Sequence, residues 1–256
     1  MTMPFERVGS LSLLRFPARD LRVFAATRDG LQANQSQPTT GLEALRMTGA
    51  YAALDGPMFA RCDSGLTGTD AQRYAQSNCS RVEYLLYDEA AGLLVQSRYP
   101  TRGATLAVVD GVPTMFDGAV VPAGATVAVQ GYPEVIRGGR VVANPTSDTD
   151  RVVRAGVGID REGLVVFVVG VGSMYGFGQG ALAAGLVELV YTDGGGSGRA
   201  QLEDAFAGST ENRRVGSWLL AMRGGSSGES GGSSALGWIA LGVAGAGAWW
   251  LWRRQR

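Results

Sequence analysis

The chain has 256 residues, a formal net charge of zero and a hydrophobic content of 45%, enough for one sizeable domain with a buried core and a tail. Every basic residue is an arginine, and the arginines are scattered along the chain, so no basic face for nucleic acid can be identified. Histidine is absent. This excludes Ser-His-Asp and Cys-His catalysis in their usual form and leaves Asp, Glu, Tyr or solvent for acid–base chemistry.

The first half of the chain consists of short apolar runs bounded by glycine, proline and other turn residues, a pattern that predicts β-strands. One helix is expected at 40–48, because Thr40 and Glu43 form a capping box. The strands predicted in this half are 8–16, 21–25, 50–54 (running into the loop 55–59), 81–87, 93–98, 105–109, 126–130, 134–136 and 140–142.

The second half begins with a predicted hairpin, in which the turn 160–163 joins strands 154–159 and 164–171. Ser173 is a plausible N-cap for a helix from Met174 to about Gly185. The last predicted strands are 186–192 and 215–222.

Together these elements predict an α+β fold, with a mixed and mostly antiparallel sheet and a few packed helices. The 39 glycines, about twice the usual share of roughly 7%, indicate many tight turns. Two predicted strand-helix-strand units end at Asp55 and at Asp193. Loops that follow two similar units could converge on one pocket.

The segment Asp-Gly-Gly-Gly-Ser from Asp193 to Ser197 carries the strongest functional signal. Asp193 ends a predicted buried strand, which would hold its carboxylate rigidly. Gly194, Gly195 and Gly196 lack the Cβ atoms that would keep a ligand away from the backbone, and consecutive N–H groups in such a loop can bind an anion. A flexible turn that contains one Asp is the alternative.

The only cysteines are Cys62 and Cys79. A disulfide between them would suit an oxidising compartment and would contribute about 3 kcal/mol. Two unpaired thiols are the alternative.

The composition changes abruptly after residue 222, where the predicted globular domain, 1–222, ends. A Gly/Ser linker at 223–234 leads to 235–252, which are uncharged and long enough for a transmembrane helix; a buried core helix is the alternative. The basic end, 253–256, would be cytoplasmic. The domain is therefore expected outside the cytoplasm and anchored to the membrane, although no N-terminal signal peptide is visible.

Five segments carry a family resemblance. They are an Ala-rich strand entering a glycine loop, a Gly-Tyr-Pro segment before a glycine turn, an Arg that opens a hairpin, the Tyr-Thr-Asp-Gly-Gly-Gly-Ser signature and a closing strand. Their positions are 53–59, 131–140, 154–160, 191–197 and 213–219. In order and spacing they resemble the phosphodiester glycosidase domain family over roughly residues 45–222. The resemblance implies a glycosidase-type hydrolase that acts on a sugar-1-phosphodiester or a related envelope or exopolysaccharide glycan.

The resemblance also implies roles for site residues. Asp193 would be the general base, or the carboxylate that stabilises positive charge at the anomeric carbon. Arg154 would pair with the phosphate; a surface arginine that opens a hairpin is the alternative. The backbone of the first glycine loop, at Gly56, and of the loop from Gly194 to Ser197 would bind sugar or phosphate oxygens.

Two positions depart from the family pattern. Asp55 stands where the family usually has Asn, and Gly176 stands where a helix Glu is expected. Asp55 near Asp193 would give an acid and a base with separated pKa values, or a pair of carboxylates for Ca²⁺ or Mg²⁺. The departures keep two other functions open, namely a catalytically degenerate glycan- or phosphate-binding module tethered to a membrane, and a structural surface protein.

Overall fold

A computed structural model describes residues 5–26, 35–61, 79–146, 149–211 and 213–223, all of which belong to one compact unit, Met1–Gly224. In the amino-terminal half of the described chain the elements are β1 (Glu6–Val8), β2 (Leu11–Phe16), β3 (Leu21–Phe24), β4 (Gln35–Ser36), α1 (Gly41–Thr48), β5 (Ala52–Asp55), β6 (Phe59–Arg61), β7 (Ser80–Val82), β8 (Leu86–Asp88), β9 (Leu93–Val95) and β10 (Ala104–Val109). The remaining elements are β11 (Val112–Asp117), β12 (Ala125–Gly131), β13 (Glu134–Arg137), β14 (Arg140–Val141), β15 (Val152–Asp160), β16 (Val165–Gly172), α2 (Met174–Ala183), β17 (Leu186–Gly194), β18 (Arg199–Leu202), β19 (Phe206–Gly208) and β20 (Trp218–Ala221).

The described strands form four sheets. The largest has seven strands in the order β1-β2-β16-β15-β17-β13-β14; two sheets have five strands, β11-β10-β12-β8-β9 and β19-β18-β5-β20-β3; and a small sheet has the order β4-β7-β6. Every pairing between these described strands is antiparallel.

The α+β prediction is therefore wrong. Within the described chain, the fold is built mostly of antiparallel sheets, with two short helices of eight and ten residues. The two strands of each predicted strand-helix-strand unit do not pair with each other, because β3 and β5 both pair with β20, and β16 and β17 both pair with β15.

The predicted fold class also included a C-terminal transmembrane helix at 235–252, which the structure does not support. No helix among the described residues is both long and apolar enough to cross a membrane. Residues 224–256, which include that segment, lie outside the described part of the chain.

Local sequence signals account for both helices. Thr40 and Glu43 form the expected capping box at the start of α1, and Gly49 ends this helix in the left-handed conformation. The Ser173 side chain caps α2 by accepting a hydrogen bond from the Gly176 N–H. The helix ends at Ala183, two residues before the predicted end.

The main apolar core lies between the sheets and includes Leu54 of β5, Leu106 of β10 and Val157 of β15, all fully buried. The other face of the seven-stranded sheet packs against α2 through a second cluster that contains Phe177 and Leu189. Because β15 and β17 are covered on both faces, the end of β17 is held in place where Asp193 lies.

The structure describes one of the two cysteines, so the predicted pairing of Cys62 with Cys79 stays a prediction. Cys79 is disulfide-bonded, and the described residues include no free cysteine. Cys62 lies outside the described residues.

Candidate active site

A β-bulge near the end of β17 sets the position of Asp193. Opposite this segment, Gly156 pairs with Tyr191 and Arg154 pairs with Gly194, so that β17 contains one more residue than β15 between the two pairs. A bulge bends the strand and redirects its side chains. Here the Thr192 side chain is buried and Asp193 is partly exposed.

Asp193 is held by two groups of the loop that follows it and by the more distant Arg213. The Gly194 N–H donates to its Oδ1 at 2.7 Å, the Ser197 hydroxyl donates to the carboxylate, and the charge of Arg213 acts on it. Burial is the larger effect and raises the pKa of Asp193 to about 7, against the lowering effect of these three groups. Near neutral pH this carboxyl can therefore both accept and release a proton.

Asp55 lies at the end of β5 and is 0% exposed. Its Oδ1 accepts a hydrogen bond from the Arg199 N–H at 3.2 Å, whereas its Oδ2 has no hydrogen-bond partner among the described residues. Burial first, and then the negative charge of Asp193, raise the pKa of Asp55 well above its usual range. The structure thus brings together the two carboxyl groups that the sequence analysis paired.

Two glycines allow close packing around Asp193. A Cβ on Gly194 would lie 2.1 Å from the Tyr191 hydroxyl, and a Cβ on Gly196 would lie 2.3 Å from Cζ of Arg213. Only glycine lets the phenol and the guanidinium approach this closely. The sequence analysis did not include Arg213 among the site residues. The glycine at position 196 is the sequence feature that could have indicated a bulky side chain packed against the loop, although it does not say which one.

The N–H groups of the glycine loop are mostly occupied within the protein. Gly194 donates to Asp193, Gly195 donates to the Val153 carbonyl at 2.9 Å, and Ser197 donates to the Gly194 carbonyl at 3.2 Å. The N–H of Gly196 has no hydrogen-bond partner in the part of the chain that the structure describes. The expected anion site in this loop is thus reduced to one backbone donor beside Arg213.

Arg154 is 4% exposed and faces inward. It donates to the carbonyls of Gly172 and Asp150 at 3.2 and 3.1 Å and hydrogen-bonds the Tyr191 hydroxyl. Arg154, which was predicted to bind the phosphate, therefore holds the Tyr191 hydroxyl. The guanidinium whose charge acts on Asp193 is that of Arg213.

Three buried polar atoms near the pair have no hydrogen-bond partner among the described residues. They are Oδ2 of Asp55, Oγ1 of Thr192 and Oγ of Ser217. Gly56 allows Ser217 to lie close, because a Cβ at position 56 would be 2.2 Å from its hydroxyl. A buried polar group without a partner costs about 1–3 kcal/mol, so these atoms favour a polar ligand.

The structure also bears on the remaining predicted groups. No cluster of three or more His, Cys, Asp or Glu suited to a metal ion occurs in the described residues. A Ca²⁺ or Mg²⁺ ion between the carboxylates of Asp55 and Asp193 stays a prediction. Gly176 is exposed in the first turn of α2, and a Cβ there would meet only the Ser173 hydroxyl, at 3.1 Å. Helix α2 thus contributes no carboxylate at this position.

These features define an antiparallel β domain with a carboxyl pair beside a glycine loop. A family model described as phosphodiester glycosidase matches residues 48–222. The chain therefore belongs to the phosphodiester glycosidase family, which confirms the resemblance found in the sequence.

Solved structures with the same fold include the catalytic domain of zebrafish N-acetylglucosamine-1-phosphodiester alpha-N-acetylglucosaminidase, auto-inhibited by its pro-peptide. The TM-score is 0.64 at 14% identity, over 83% of this chain and 76% of that one. A putative exported protein from Burkholderia pseudomallei matches with a TM-score of 0.54 at 14% identity, over 83% of this chain and 74% of its own. At such identities the likeness shows the fold alone. No curated protein matches the sequence.

Proposed function

We propose that the protein is a hydrolase that cleaves the bond between the anomeric carbon of a sugar and a phosphodiester oxygen, in a sugar-1-phosphodiester or a related envelope glycan. The observation that carries the proposal is the Asp55–Asp193 pair beside Arg213. A half-buried carboxyl with a pKa near 7 has the acidity that a general base needs at neutral pH.

Asp193 is the reacting carboxyl in this proposal. In its ionised form it accepts a proton from a water molecule whose oxygen bonds to the anomeric carbon. The carbon–oxygen bond to the phosphate breaks at the same centre, and the phosphate leaves with the electron pair. Because phosphate is a good leaving group, positioning and electrostatic stabilisation can supply much of the rate without histidine.

Asp55 acts through Asp193 and is a positioning residue. Its side chain is completely buried and its raised pKa keeps it protonated, since a second negative charge beside Asp193 would be unfavourable. A neutral Asp55 avoids repulsion of an anionic substrate, which the Asn-to-Asp departure would otherwise cause.

The phosphate would be bound at the glycine loop. Arg213 lies against Gly196, and its Nε donates to Oε2 of Glu211 at 2.6 Å. In this proposal the terminal N–H groups of the guanidinium bind phosphate oxygens, and the Gly196 N–H supplies a further donor. The charge of the phosphate would then sit beside Asp193, at the position where the bond is broken.

Release of free sugar by the full-length protein tests the proposal. UDP-N-acetylglucosamine and methyl phosphodiesters of N-acetylglucosamine 1-phosphate serve as substrates, with Asp193→Asn as the test variant and Asp204→Asn, at an exposed position, as the matched control. We expect turnover in the wild type and in the control and at least a hundredfold loss in Asp193→Asn.

Two results would overturn the proposal. Equal binding of the substrates by the wild type and Asp193→Asn, with turnover in neither, would make the protein a binding module. Absence of any saturable ligand would leave a structural role.

A further inference from the structure

A cluster of three tyrosines and one arginine lies outside the carboxyl pair. We call it the Tyr–Arg cluster; it consists of Tyr84, Tyr99, Arg102 and Tyr132. Cζ of Arg102 is 4.9 Å from the ring centroid of Tyr99 and 5.9 Å from that of Tyr132, within the range of cation–π attraction. Tyr84 is buried and packs against Tyr99, with 5.6 Å between ring centroids.

The guanidinium of Arg102 is exposed and has no carboxylate partner among the described residues. Its neighbour Arg98 differs, because Arg98 is paired with Glu83 at 3.1 Å. Tyr132 is also exposed, at 38%. The cluster therefore presents to solvent a cation with no counter-ion in the described part of the chain, together with a partly exposed aromatic ring.

A buried amide fixes the backbone that carries Tyr99 and Arg102. Nε2 of Gln130 donates to the Tyr99 carbonyl at 3.0 Å and to the Arg102 carbonyl at 2.6 Å, and its Oε1 accepts from the Leu85 N–H at 3.1 Å. Gln130 itself is 0% exposed. The turn that presents the guanidinium is thus held before any ligand arrives, which reduces the entropy lost on binding.

The Tyr–Arg cluster adjoins the carboxyl pair through strand β17. The Tyr132 N–H donates to the Tyr191 carbonyl at 2.9 Å, and the Tyr191 N–H donates to the Pro133 carbonyl at 3.1 Å. Tyr191 precedes Asp193 by two residues in the same strand. A glycan whose reacting sugar lies at Asp193 can therefore extend toward Tyr132.

We propose that the Tyr–Arg cluster is a subsite for an acidic sugar unit, whose ring packs against Tyr132 and whose carboxylate or phosphate group binds Arg102. A guanidinium binds a carboxylate or a phosphate group with two hydrogen bonds, and an aromatic face packs against the apolar face of a sugar ring. The subsite rests on the proposed function only in that this unit would belong to the same substrate. Binding itself does not require turnover.

Calorimetric titration of the full-length protein tests the subsite. The probes are tetragalacturonate, mannose 6-phosphate and the neutral maltotetraose, with Arg102→Gln and Tyr132→Ala as test variants. Arg161→Gln is the matched control. Like Arg102, Arg161 is an exposed arginine in a turn, but it directly follows β15 and does not belong to the Tyr–Arg cluster. We expect an acidic probe to bind more tightly than maltotetraose, and Arg102→Gln to weaken this binding at least about tenfold.

The probes and the control separate the outcomes. Tighter binding of tetragalacturonate identifies a carboxylate ligand, and tighter binding of mannose 6-phosphate identifies a phosphate ligand. Equal weakening by Arg161→Gln would indicate general charge attraction, and equal binding of maltotetraose would exclude an acidic ligand; either result overturns the subsite.

Turnover assays with small sugar-1-phosphodiesters distinguish this proposal from the previous one. Arg102-dependent binding without any turnover would leave the subsite in place and remove the hydrolase. Turnover without Arg102-dependent binding of an acidic probe would support the hydrolase and overturn the subsite.

Discussion

The Arg199 N–H donates a hydrogen bond to the buried Oδ1 of Asp55 at 3.2 Å. Arg199 is the first residue of β18, which pairs with β5 directly beside Asp55. The glycine loop thus begins at Asp193 in one sheet and ends beside Asp55 in another. This connection explains why two distant parts of the sequence meet in one site.

The rate of hydrolysis should depend on the protonation of Asp193. Since only the ionised carboxyl is a base, kcat/KM should rise about tenfold per pH unit below the pKa of about 7 and level off above it. A pH–rate profile with a small phosphodiester measures this dependence. A flat profile between about pH 5 and pH 8 would show that Asp193 does not limit the reaction.

Asp55→Asn should change how stability depends on pH. An acid whose pKa is higher in the folded than in the unfolded state makes the free energy of unfolding fall as pH rises above its unfolded pKa. Burial raises the pKa of Asp55 in this way, so the variant should be more stable than the wild type at pH 8. At a pH below about 4 the difference should shrink.

Urea denaturation of both proteins at several pH values provides the measurement. Asp204→Asn, an exposed substitution of the same type, is the control and should follow the wild-type curve. A parallel shift of the Asp55→Asn curve at every pH would contradict the expectation.

Gly196→Ala should weaken substrate binding by moving Arg213. The added Cβ would lie 2.3 Å from Cζ of Arg213, and this side chain can swing away without disturbing the backbone. We expect KM to rise about tenfold, which corresponds to the loss of one charge-assisted hydrogen bond. Gly176→Ala, at an exposed helix position, is the control.

A double-mutant cycle tests the cause of that effect. If Gly196→Ala acts through the guanidinium, then adding it to Arg213→Ala should raise KM no further. If the two substitutions raise KM additively, then Gly196→Ala acts through the glycine loop itself and not through Arg213.

Gly194→Ala should destabilise the fold. Its Cβ would lie 2.1 Å from the Tyr191 hydroxyl and 2.6 Å from the Val153 carbonyl oxygen. Because the carbonyl belongs to the backbone of β15, it cannot move away cheaply, and we expect a loss of about 1–3 kcal/mol. Thermal or urea denaturation measures the loss. Tyr191→Phe in the same chain should recover part of it, since it removes the phenol oxygen, and no recovery would contradict this account.

Local features could be predicted well from the sequence. The capping box at Thr40 and the cap at Ser173 form as expected, because these hydrogen bonds depend only on residues three positions apart. The strand before Asp193 was also expected, but it continues through the bulge to Gly194.

Long-range features could not be predicted in the same way. The bulge at Thr192 arises from the register with β15, and the position of Arg213 depends on its packing against Gly196. The α+β prediction failed for a related reason, since local patterns do not specify which distant strands pair, and the described chain forms mostly antiparallel sheets with only two short helices.

Residues 195–198 carry the chain from the seven-stranded sheet to the five-stranded sheet that contains β5 and β18. The distance between Asp55 and Asp193 therefore depends on how these two sheets pack against each other. A cavity made deep in the interior, for example by Leu54→Ala in the strand that carries Asp55, would change how strongly the charge of Asp193 raises the pKa of Asp55, from a position that no substrate reaches. The pH dependence of stability across such core variants would then report on the spacing between the two sheets.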